Sequence, residues 1–63
     1  MWTVIYMAKS KELIARVQAI LNDSGLTVRV NPIASDVIDG YFEILVPEIE
    51  AQNAHMKLIR FGY

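Results

Sequence analysis

Tyr41-Phe42-Glu43-Ile44-Leu45-Val46-Pro47 is the stretch on which the fold of this 63-residue chain turns. Phe42, Ile44 and Val46 fall on one side of an extended chain and their neighbours on the other, which is the period of a strand. Pro47 suits the first turn of a helix, where its missing N–H is not needed. Glu48 and Glu50 follow where a helix dipole favours negative charge. Ala51, Ala54, Leu58 and Phe61 then form one apolar stripe at helical spacing, and Ile49, Met56 and Ile59 form a second. The stretch is thus a strand feeding a helix.

Upstream, Trp2 to Met7 is β-branched and aromatic, as a strand requires. Ser10 offers an N-cap. Leu13, Ile14, Val17, Ile20 and Leu21 mark the buried face of a helix that Asn22-Asp23-Ser24-Gly25 ends, with Gly25 at the left-handed C′ position. Leu26, Val28 and Val30 alternate with Thr27, Arg29 and Asn31 as a second, half-wet strand. Pro32 stops it, because proline gives no donor to a ladder. Residues 31–40 are a loop longer than a usual hairpin connection.

The order strand, helix, strand, strand, helix is the split βαβ plan of ferredoxin-like folds. A right-handed crossover makes the first two strands parallel, and the third inserts between them. The expected fold is α+β, one domain over 1–63, with a three-stranded sheet ordered 1-3-2 and both helices on one face. Only Arg60-Phe61-Gly62-Tyr63 is left to form a short C-terminal fourth strand. Without it, Trp2, Val4, Ile5, Tyr6 and Met7 make an apolar edge, and such an edge invites pairing.

Composition sharpens that expectation. A domain this small buries only about 60% of its unfolded surface and usually needs a staple. Cysteine is absent, so disulfides are excluded. The chain is 54% hydrophobic with mean hydropathy +0.30 and a net charge of −1, so copies repel one another little. A homo-oligomer is expected, with Trp2, Val4, Tyr6, Met56 and Ile59 as its contact residues. The acidic balance argues against a nucleic-acid partner, and with it against bases stacking on Trp2 or Tyr6 and Tyr41. No apolar run is long enough for a membrane span. Met1 to Met7 lacks a basic leader region, so a cytoplasmic protein is expected.

One chemical candidate remains. The topology sends Lys9, Lys11, Arg29, Lys57 and Arg60 to one pole. Lys57 and Arg60 complement a helix C-terminus. Lys9 and Lys11 oppose a helix N-terminus, so Lys9, Ser10, Lys11 and Arg29 are the candidate site for a small anionic ligand. Asp36 and Asp39 are the competing partners for the lysines. His55 has no nucleophile or orienting acid at a telling spacing, and no spacing joins it to Asp36, Asp39 or Glu43 as a metal site. No catalytic residue, metal or cofactor is expected.

Met1-Trp2-Thr3-Val4-Ile5-Tyr6, Ser24-Gly25-Leu26-Thr27-Val28 and Tyr41-Phe42-Glu43-Ile44-Leu45-Val46-Pro47-Glu48 resemble small bacterial proteins catalogued as prokaryotic signal-transducing proteins. The likeness spans most of the chain. It implies a ferredoxin-like fold akin to the nitrogen-regulatory PII proteins, and a regulatory or interaction role. Its motifs are structural and transfer no functional residue. The usual alanine-rich second helix carries Asn53, His55 and Met56 here, a departure at any partner surface on that helix.

Overall fold

Ser10 starts the first helix as its side chain allows: its backbone is extended and its Oγ accepts from the Leu13 amide at 3.1 Å. The computed structural model describes residues 1–33 and 40–63. Asp36 and Asp39, the expected partners of the lysines, lie outside the described residues. The chain runs β1 (Trp2–Ala8), α1 (Lys11–Asp23), β2 (Arg29–Pro32), β3 (Phe42–Pro47), a 3-10 turn (Glu48–Glu50) and α2 (Ala51–Arg60). The sheet order is β1-β3-β2, with β3 antiparallel to both neighbours. This is the α+β, ferredoxin-like βαββα arrangement that the strand–helix order implies.

Ile44 and Val46 of β3, Ile14, Val17 and Leu21 of α1, Ala54 and Leu58 of α2, and Ala8 form one buried cluster. Both helices therefore pack on the sheet face that carries Ile44 and Val46. Leu45 and Glu43, one residue out of phase, belong to the opposite face. No helix of the described residues is long and apolar enough to cross a membrane.

Several details differ from what the sequence implies; one is that β2 runs through Asn31 and Pro32, which pair with Glu43 and Phe42, so the expected loop over 31–40 begins later. The ladder of β2 starts at Arg29, not Leu26. Leu26 and Val28 still pack against the core, so their alternation reports burial before pairing begins. Pro47 is the last residue of β3, opposite Trp2, with ψ 142°. The 3-10 turn starts only after it, and the Glu48 amide extends the ladder by donating to the Met1 carbonyl at 2.7 Å.

A further difference is the C-terminus, which forms no fourth strand. Gly62 adopts φ +86°. Its amide donates to the Ile59 carbonyl at 3.0 Å, and the Tyr63 amide donates to the Leu58 carbonyl at 2.8 Å. Those two bonds are the Schellman motif. It turns Tyr63 back onto the core, where its ring meets Tyr6 edge-on at 6.2 Å. The end of α1 uses the same device. Gly25 has φ +80°, its amide donates to Asn22, and the Leu26 amide donates to Leu21.

A β-bulge interrupts β1 between Val4 and Tyr6: Val4 faces Leu45, and Tyr6 already faces Ile44. Ile5 is the extra residue. The bulge resets the alternation, so that both Ile5 and Tyr6 pack against the core.

Candidate functional site

Of the four residues proposed for an anion, Lys9, Ser10 and Lys11 stand together at the start of α1, and Arg29 does not join them. Ser10 spends its Oγ on the Leu13 amide. Lys9 lies with its Nζ 5.6 Å from the centre of the Tyr41 ring. A cation over an aromatic face is attracted by the ring quadrupole, which gives Lys9 a reason to stand at a helix N-terminus. Lys11 borders a shallow, mainly apolar hollow of about 180 Å³ between α1 and the β2–β3 strands, shared with Ile14, Ala15, Gln18, Val30 and Phe42. Arg29 leaves the group. It opens β2 opposite Leu45, whereas Ala8, next to Lys9, is opposite Phe42 at the other end of β3. The late start of β2 causes this, because it puts Arg29 at the first rung of the ladder rather than the last.

Arg29 stacks instead on Trp2, its guanidinium carbon 4.3 Å from the ring centre. Trp2 belongs to β1 and Arg29 to β2, so the side chain reaches across the central strand. The face it crosses is the one that no helix of the described residues covers. Pairing aligns three rows there: Trp2 with Pro47, Val4 with Leu45 and Arg29, and Met7 with Glu43 and Asn31. Trp2, Val4 and Met7 are 38%, 43% and 46% exposed. Tyr6, expected among the contact residues, does not join them. The bulge turns it inward against Tyr63, and this also removes it from any base-stacking platform.

The second apolar stripe of α2 points outward as well. Met56 is 56% and Ile59 58% exposed, and Ile49 of the preceding turn is more exposed still. His55 is exposed on the same helix. Among the described residues no polar or charged residue is buried, and no group of three His, Asp or Glu is placed to hold a metal ion.

Glu50 has a role that its place in the sequence concealed. Its Oε1 accepts from the Thr27 amide at 2.8 Å, tying the 3-10 turn to the segment before β2. Ser10, Ser24 and Glu50 all direct their side-chain hydrogen bonds to backbone groups. The polar side chains engaged in this way hold the chain in shape.

No family model, curated protein or solved structure matches the chain. The sheet face opposite the helices carries the exposed Trp2, Val4 and Met7.

Proposed function

We propose that this chain is a small non-enzymatic interaction module of the regulatory, signal-transducing kind, and that it works as a self-associated unit. The observation that carries the reading is the bare apolar sheet face, on which Trp2, Val4 and Met7 stand exposed around Leu45. A sheet is stable when both faces are covered or when one is polar. This sheet has helices on one face and a largely apolar surface on the other.

The size of the core points the same way. Among the described residues, eight make up the buried cluster. Roughly 25 cal/mol is gained per Å² of apolar surface removed from water, so covering a second face would add materially to a margin this thin. The exposed stripe of α2 offers a separate surface for a different partner. The engaged Ser10 and the displaced Arg29 leave the reading as a sensor of small anions without a gathered site.

Sedimentation across a dilution series from about 1 µM to about 1 mM, the span of weak protein contacts, tests the proposal. The expected mass rises from the 7.2 kDa of one chain toward twice that value. A constant mass of one chain over the whole range would overturn it.

A further inference from the structure

The bare sheet face is complementary to itself, and this deepens the reading above, on which it rests. Arg29 and Glu43 are the charged residues paired into its rows. They are diagonal neighbours on adjacent strands, yet the guanidinium of Arg29 is drawn the other way, onto Trp2 beside Pro47. Glu43 sits by Met7, two rows further along the face. The guanidinium and Trp2 therefore lie toward one end of the face, Glu43 and Met7 toward the other, and Val4, Leu45 and the backbone of Arg29 in the middle.

A twofold axis lying in the plane of contact, across the strands and through Leu45, exchanges the two ends. It lays Leu45 on Leu45 of the second copy and brings each Trp2 over the other copy's Met7. It also brings each Arg29 guanidinium beside the other copy's Glu43. All three juxtapositions are favourable: an apolar centre, a thioether against an aromatic ring, and two symmetry-related ion pairs. Pairing through the β1 edge is the competing arrangement. The bulge at Ile5 disfavours it, since a bulge twists an edge and breaks the regular row of donors and acceptors.

We infer that two copies of this chain pack face to face through the open side of the sheet, with Arg29 of each copy pairing with Glu43 of the other. Three strands about 4.8 Å apart and some 20 Å long present roughly 300 Å² in projection, a small contact area for a protein interface. The dimer is accordingly weak and forms reversibly.

Charge-reversal exchange tests this. The variants R29E and E43R each place like charges against one another in their own dimers, and each should weaken self-association at least about tenfold. An equimolar mixture should recover it. In the mixed dimer, reversed position 29 of one chain meets reversed position 43 of the other, and the native pair meets natively. Sedimentation of the two variants alone and mixed reads this out, and circular dichroism verifies that each is folded. If the unaltered chain associates but the variants do so equally well, or the mixture does not recover, the face-to-face arrangement is wrong while self-association stands. If the unaltered chain never associates, both proposals fall. Should either single variant fail to fold, the R29Q and E43Q pair gives the same reading: each is expected to weaken association, and unchanged association overturns the arrangement.

Discussion

Tyr63→Ala and Phe61→Ala, two truncations two residues apart, should have opposite outcomes. Phe61 continues the α2 stripe in sequence, and helical spacing would assign it to the core. In the structure Phe61 is 59% exposed, whereas Tyr63 is folded back onto the core and stacks edge-on against Tyr6. Removing a fully buried aromatic side chain costs about 3–5 kcal/mol, and an aromatic pair contributes about 0.5–1.5 kcal/mol of that kind of sum. Tyr63 is half-buried, so Tyr63→Ala is expected to cost about 2 kcal/mol. Phe61→Ala should cost under about 0.5 kcal/mol, the range of surface changes. In urea, with a slope of about 1 kcal/mol per molar for so small a domain, the first change lowers the midpoint by about 2 M and the second barely moves it. The measurement is best made at micromolar protein, below the range of assembly. Adding Tyr6→Leu and the double variant isolates the ring pair, whose coupling should be about 1 kcal/mol. Equal losses for Tyr63→Ala and Phe61→Ala, or a larger loss for Phe61→Ala, would refute the turn-back of the C-terminus.

Leu21→Ala removes a fully buried side chain at the centre of the core. It should cost about 3–5 kcal/mol, most of the stability of a chain this short, and a thermal melt should show a chain largely unfolded at room temperature. Glu50→Ala should cost about 0.5–1 kcal/mol in urea titrations, because the exposed Thr27 amide exchanges its carboxylate acceptor for water. Glu50→Gln should cost less than half as much, since an amide oxygen still accepts. Gly62→Ala should destabilise by about 1 kcal/mol although its Cβ would meet nothing, because φ +86° alone penalises it. No loss in a melt of that variant would count against the Schellman turn.

Much of the architecture was legible in the sequence because the patterns that encode it are local. The alternation of Phe42, Ile44 and Val46, the Ser10 cap and the Gly25 stop each depend on a few neighbouring residues. The order of elements then left the middle of the sheet to the third strand. What escaped depended on neighbours distant in sequence. The bulge at Ile5 arises where β1 meets β3, so nothing within Trp2 to Ala8 says that Tyr6 turns inward. Where β2 begins is likewise decided by β3, and a shift of that start moved Arg29 from Lys9 to Trp2. The fold-back of the C-terminus did leave a signal. Leu58, Gly62 and Tyr63 repeat the spacing of Leu21, Gly25 and Leu26, with glycine four residues after a core leucine and an apolar residue next.

Ile5 is, in effect, a wedge. Deleting it alone would leave every pairing between the first and central strands in place, from Trp2 opposite Pro47 to Ala8 opposite Phe42, because no residue of the central strand answers to it. The shortened strand would alternate without interruption and lie flatter. Its outward amides and carbonyls would form an even ladder, open to any extended peptide nearby. The wild-type chain carries one surplus residue that costs it regularity and, by the same irregularity, keeps strangers from zipping on.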